Sequence, residues 1–213
     1  DVSQNYGIPK GSLAIDVGSN VGVLLSGFRE QGMKILGVDP ALNMAEIANA
    51  NGIETIPTFF STRAAEQIIK RKGNAHIITG TNVFAHIDDV DDFMKAVDIL
   101  LEKKGVLVIE APYAVNLIQN LEYDTIYHEH LGYLSVKPLT RFFKRFGMEL
   151  FDVKRVTIHG GSARYFVARA GTRKVTSQVR ELLALEKKEN IYSMTRLRKF
   201  ALAVRNQRAQ LLD

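Results

Sequence analysis

The chain has 213 residues, 46% apolar and 24% charged, a composition that supports one domain of ordinary size with an extension and a core of full depth. No apolar run approaches the ~20 residues of a membrane helix, and the N-terminus lacks the basic start and apolar segment of a secretory signal. The absence of cysteine excludes disulfides and thiolate metal sites within this chain and points to a reducing, cytoplasmic compartment.

The net charge of +5 is unevenly spread. From Thr172 to the end there are ten Lys or Arg and four Asp or Glu, a net of +6, which leaves −1 for the rest. Basicity confined to a tail reads as a solvated helix face, so neither nucleic acid nor membrane is expected as a partner.

Asp1 to Lys10 is a polar lead-in. Leu13, Ala14, Ile15 and Val17 then form a short apolar run that suits a strand buried on both faces. Gly18, Ser19, Asn20 and Gly22 follow, and an amphipathic helix runs from Val21 to about Gln31. Strand, glycine turn and helix bring a ligand against bare backbone and a helix N-terminus. Gly18 is expected to take backbone angles closed to other residues, and Gly22 to let the helix approach closely. The dinucleotide fingerprint needs Gly-x-Gly-x-x-Gly, and here Asn20 replaces the middle glycine. Asp16 points a carboxylate at the crevice, which suits an ammonium or hydroxyl better than a phosphate. The spacing therefore leans toward S-adenosylmethionine.

Met33 to Val38 is a second buried strand ending in Asp39-Pro40, where an acidic residue can accept both hydroxyls of an adenosine ribose. A helix is expected over 41–51, stopped by Asn51-Gly52. Ile53 to Ile56 is a short third strand. Phe59 and Phe60, beyond Pro57, can flank an adenine or pack in the core. Ser61 is an N-cap for a helix to Lys72, closed by Gly73. Ala75 to Thr79 is the fourth strand, and Thr79, Asn82 and His86 come from its C-terminal end, the ligand side of an open α/β sheet. A helix over 90–103 and a fifth strand over 106–109 follow.

The rhythm breaks at Tyr113. The segment to Leu134 is a polar, aromatic, histidine-rich insertion containing Tyr127-His-Glu-His130 and Tyr133. A helical zinc pair wants His-Glu-x-x-His, whereas His128 and His130 are two apart, so no metal is expected here. General acid–base work suits the run better, because a histidine takes a proton at neutral pH and an adjacent carboxylate can tune it. Ser135 caps the next helix, with Pro138 in its first turn. Met148 to Val156, the turn His159-Gly-Gly161 and Ser162 to Ala170 read as a hairpin. Parallel units closed by an antiparallel hairpin make a class I methyltransferase, a Rossmann-like α/β fold with a mostly parallel seven-stranded sheet. It is expected to occupy residues 1–171, with a basic helical extension over 172–213. The extension's apolar stripe needs a cover: a further domain, a second subunit or the body itself.

The segment Tyr123-Asp-Thr-Ile-Tyr-His-Glu-His-Leu-Gly-Tyr-Leu-Ser135, with Ile158-His-Gly-Gly-Ser-Ala-Arg164, resembles the deoxysugar C-methyltransferases, which act on nucleotide-linked 4-keto sugars. The resemblance extends to Asp16-Val-Gly-Ser-Asn-Val-Gly22, Gly37-Val-Asp-Pro40 and Asn82-Val-Phe-Ala-His-Ile87 and covers nearly the whole chain. It implies an S-adenosylmethionine site at Asp16, Gly18, Ser19, Asn20, Gly22, Asp39, Pro40, Phe59, Phe60, Thr79 and Asn82. It implies a base at His130 assisted by Glu129, Tyr127 and His86, and sugar contacts from Tyr133, His159 and Arg164. Members of that family begin with a cysteine-rich zinc domain and end with a second α/β domain. This chain is accordingly expected to be the central part of a longer protein, with zinc confined to the domain it lacks. Two other readings remain: methyl transfer to oxygen or nitrogen, and an NAD-dependent oxidoreductase or non-catalytic nucleotide-binding module.

Overall fold

The structure, a computed structural model, describes residues 2–212, the side chain of His159 excepted. Its elements in order are α1 (Val2–Asn5), β1 (Leu13–Val17), α2 (Val23–Glu30), β2 (Lys34–Val38), α3 (Leu42–Ala50), β3 (Thr55–Ile56), α4 (Thr62–Lys72) and β4 (Ala75–Thr81). There follow α5 (Val90–Leu100), β5 (Leu101–Pro112), α6 (Ala114–Asn120), α7 (Val136–Lys144), β6 (Met148–Val156), β7 (Ser162–Arg169), α8 (Ser177–Lys188) and α9 (Met194–Leu212).

Among the described residues the strands form one seven-stranded sheet in the order β3-β2-β1-β4-β5-β7-β6. The first five are parallel, and β7 runs antiparallel between β5 and β6. The strand order reverses between β1 and β4, and that reversal opens a crevice at their C-terminal ends. All five residues of β1 are buried, the carboxylate-bearing Asp16 among four apolar neighbours. One face of the sheet is covered by α2 and α3 through Leu25, Phe28 and Ala48 against Ala14 and Ile77. The larger core lies on the opposite face, where Ile68, Phe93, Leu100, Phe143 and Val179 pack on β1, β4, β5 and β7.

Five local expectations change. The lead-in is not merely polar: α1 and the residues after it cover the sheet, with Tyr6 edge-on to Phe151 at 5.1 Å and its hydroxyl donating to Asp152 at 2.7 Å. Asp1, the first lead-in residue, lies outside the described residues. The third strand shortens to Thr55–Ile56, since it pairs only with Gly37 and Val38. The fifth helix stops at Leu100 and β5 runs twelve residues, because Leu101 already pairs with Ala75 and the end of β5 pairs with β7 through Pro112. The 113–134 insertion contains a helix, α6, whose Val115, Leu117 and Ile118 are buried. Ser61 caps α4 as expected, accepting from the Ala64 amide at 3.3 Å. Ser135 occupies the N-cap position of α7, but its side chain makes no cap; its hydroxyl lies 3.1 Å from the Tyr192 oxygen and donates to it, because the Tyr192 proton goes to Glu186.

Candidate active site

Two cavities of about 550 and 540 Å³ lie on either side of the turn after β1, and Gly18 lines both. The backbone explains the turn's composition. Gly18 has φ +68° and a Cβ there would meet Val83 at 2.4 Å, so a close approach from the segment after β4 excludes a side chain. Gly22 has φ +84°, and its missing Cβ makes room for Ile53. Gly22 therefore serves helix packing, and it lines neither cavity. Asn20 takes a left-handed conformation with φ +50° and stabilises it by accepting from the Val21 amide at 2.7 Å.

The smaller cavity is lined by Asp39, Pro40, Phe59, Phe60, Asn82 and His86. Asp39 is buried, and its two oxygens accept from the amides of Asn20 and Ala41 at 2.7 and 2.9 Å, which locks the end of β2 to the glycine turn. Both phenylalanines line the cavity, but only Phe60 also packs in the core, on Phe93 at 5.1 Å, while Phe59 is 75% exposed. Asn82 has φ +55° and a buried side-chain oxygen with no partner.

The larger cavity holds Asp16, Ser19, Asn20 and Thr79. Asp16 accepts from the Thr79 hydroxyl at 2.5 Å. Burial pushes its carboxyl up to about 7; the Thr79 hydrogen bond pulls the other way, and the nearby Asp39 charge adds to the rise. The buried Ser19 hydroxyl has no partner. Arg164 also lines this cavity and is ion-paired with Glu110, the residue directly across from it on β5. Glu110 and Thr81 are wall residues that sequence reasoning missed. The signal for Glu110 was available, because a charge closing an apolar strand at the ligand end of a sheet needs a partner.

The insertion returns to this crevice. The amide of Leu131 donates to the Ala85 carbonyl at 2.8 Å, pinning the Tyr-His-Glu-His run onto the turn that carries His86. The His130 and His86 rings lie 4.8 Å apart, and the Tyr127 ring lies 4.3 Å from His130, tilted by 44°. His130 Nδ1 donates to the Thr125 carbonyl at 2.7 Å, so in the neutral ring the free lone pair is on Nε2, 3.3 Å from the Tyr127 hydroxyl. His86 Nδ1 likewise donates to the Glu129 carbonyl at 2.9 Å. Glu129 thus contributes its carbonyl, while its side chain is exposed. Tyr133 sits beside His130 with ring centroids 6.3 Å apart. The 159–161 turn packs against the insertion: Cβ atoms on Gly160 and Gly161 would collide with Glu122 and Asn116. The His159 side chain lies outside the described residues. Among the described residues no group of three or more His, Asp or Glu is arranged to hold a metal ion.

Sheet order, glycine turn and paired cavities define a class I methyltransferase fold. The comparisons agree. A methyltransferase domain model matches residues 4–153, and a C-methyltransferase C-terminal domain model matches 157–213. The chain belongs to the methyltransferase-domain family. It is 38% identical over 211 residues to the C-methyltransferase NovU of Streptomyces niveus, covering 99% of this chain and 50% of that protein. The chain thus spans about half the length of this relative. It is 20% identical to a ubiquinone biosynthesis O-methyltransferase of Cupriavidus pinatubonensis, over 75% of this chain and 69% of the other. In fold it is similar to the magnesium protoporphyrin IX methyltransferase ChlM of Synechocystis with bound SAH, with a TM-score of 0.58 at 13% identity, covering 78% of each chain.

Proposed function

We propose that this chain is the cofactor-binding and base-carrying part of a cytoplasmic C-methyltransferase that acts on a nucleotide-linked 4-keto deoxysugar. The observation that carries the reading is the meeting of His130 with His86, a residue that lines the cofactor cavity. The wall chemistry fits S-adenosylmethionine. Asp39 suits the ribose hydroxyls, Phe59 the adenine, and Asp16 the ammonium of the amino-acid end. Bound there, the cofactor supplies an electrophilic methyl on a sulfonium.

The chain's own residues supply the acid–base chemistry. The 4-keto group acidifies the proton on C3 of the sugar. His130 Nε2, held as the free acceptor by the bond from Nδ1 to Thr125, takes that proton. The Tyr127 hydroxyl is a donor near which the enolate oxygen's negative charge can be stabilised, and the His86 ring packs beside His130. The enolate carbon would be the nucleophile for that methyl, whose bond to sulfur would break with its electron pair staying on sulfur to leave S-adenosylhomocysteine. Arg164, held by Glu110, and Tyr133 line the approach for the sugar and its phosphates. His159 is assigned to the same acceptor side by resemblance alone. The helical extension over 172–213 acts as a connecting unit. Its exposed Leu197, Leu202 and Leu211 suit self-association. The test is His130→Ala in the full-length protein: methylation is lost and cofactor binding is kept. Undiminished turnover removes His130 from the role, and a methyl found on oxygen overturns carbon alkylation.

A further inference from the structure

Glu186 lies on α8, outside every cavity wall described above, and is 1% exposed. Its carboxylate accepts four hydrogen bonds. One oxygen takes the Tyr113 hydroxyl at 2.9 Å and the Val136 amide at 2.5 Å. The other takes the Lys137 amide at 3.0 Å and the Tyr192 hydroxyl at 2.5 Å. No Lys, Arg or His among the described residues forms an ion pair with it. A carboxylate has about four acceptor positions, and here protein donors fill them all.

The donors are not scattered. Tyr113 is the first residue of the insertion, where the chain leaves β5. Val136 and Lys137 form the first turn of α7, where the insertion rejoins the body. The roots also touch each other, the Ala114 amide donating to the Leu134 carbonyl at 2.9 Å. Arg155 lies over the Tyr113 ring at 5.8 Å and donates to Asn116 at 2.9 Å, so the first root is held from a second side. Burial, reinforced by the Glu186 charge, raises the Tyr113 and Tyr192 phenols well above their usual range, and both remain donors.

We infer that Glu186 is a positioning residue that clamps both roots of the insertion and thereby sets where His130 stands over the cofactor crevice. The inference rests on reading the insertion as the carrier of the base. The helical extension then has a part in catalysis without touching substrate. Glutamine does not replace the carboxylate: it keeps one acceptor oxygen, and its NH₂ must face the amide of either Val136 or Lys137.

The test reads the five histidine rings by ¹⁵N-imidazole NMR in this chain, with S-adenosylhomocysteine binding followed by calorimetry. Wild type should show His130 as the Nδ1–H tautomer. Glu186→Gln should move His130 toward the Nε2–H form that an unconstrained ring prefers, with binding unchanged and melting several degrees lower. Tyr113→Phe, which removes only the root donor, should shift the same resonance and serves if Glu186→Gln fails to fold. Tyr192→Phe, whose donor lies outside the insertion, should lower stability without moving His130. A folded Glu186→Gln or Tyr113→Phe chain with the wild-type His130 tautomer overturns the proposal. So does loss of S-adenosylhomocysteine binding in step with the shift, which marks a general loosening. The readout needs no turnover, so His130→Ala with full methylation would end the base reading and leave this result standing.

Discussion

The imidazoles of His86 and His130 lie 4.8 Å apart and tilted by 45°, one from the turn after β4 and the other from the insertion after β5. Each ring has its Nδ1 proton committed to a carbonyl, so in the neutral rings Nε2 carries the lone pair. The pair joins a cavity built by the parallel half of the sheet to a loop that the parallel half does not contain.

Asp39 is the link between β2 and the glycine turn. Asp39→Asn leaves one acceptor oxygen and turns an NH₂ toward the amide of Asn20 or Ala41. Affinity for S-adenosylhomocysteine should fall about 100-fold, the loss of charged hydrogen bonds to two ribose hydroxyls. Calorimetry giving wild-type affinity would place the ribose elsewhere.

Asp16 makes cofactor binding sensitive to pH. Its folded pKa is raised from 3.8 to about 7, so the folded state binds more protons than the unfolded chain between those values. Stability from this group is complete below 3.8 and is lost as pH rises through 7. Asp16→Asn should therefore melt higher than wild type at pH 8, with a smaller difference at pH 5. A ligand ammonium needs the carboxylate, so wild-type affinity for S-adenosylhomocysteine should climb toward about tenfold per pH unit below 7 and flatten above it. The variant should bind weakly with no such slope. Parallel slopes in the two proteins would assign the titration to another group.

The glycines of the turn and of α2 give a paired stability test. Gly22→Ala forces a left-handed backbone on a residue with a Cβ and crowds Ile53 at 2.7 Å. It should cost about 2–4 kcal/mol, from the conformational and overpacking penalties together. Gly27, inside α2 with open space around its Cβ position, is the control. Gly27→Ala should stabilise by about 0.5–1 kcal/mol. Urea unfolding of the unliganded chain measures both, and equal midpoints would contradict the assignment of Gly22 to helix packing.

Much of the cofactor crevice was legible in sequence because local rules carry it. An apolar run, a glycine turn and a strand-terminal acid at the right distance form one strand–helix–strand unit, and the hairpin told the sheet's far edge from a dinucleotide fold. Where one residue has two local readings, the sequence did not choose. Phe59 and Phe60 both reach the cavity wall, and only the position of Phe93 decides which ring also packs in the core. The length of β5 depends on its pairing with β7, a long-range fact. Glu186 was invisible for the same reason. In Leu183-Ala-Leu-Glu-Lys-Lys-Glu189 it looks like any solvated helix charge, and only the tertiary fold brings Tyr113 and the start of α7 to it.

Solvent exchange at the acceptor carbon tests the central claim most directly. The full-length protein with bound S-adenosylhomocysteine, which has no methyl to give, is incubated in D₂O with a nucleotide-linked 4-keto deoxysugar, and the C3 proton is followed by NMR. The account predicts that wild type washes the proton out and that His130→Ala does not. Equal exchange by the two proteins, or none by wild type, would contradict it.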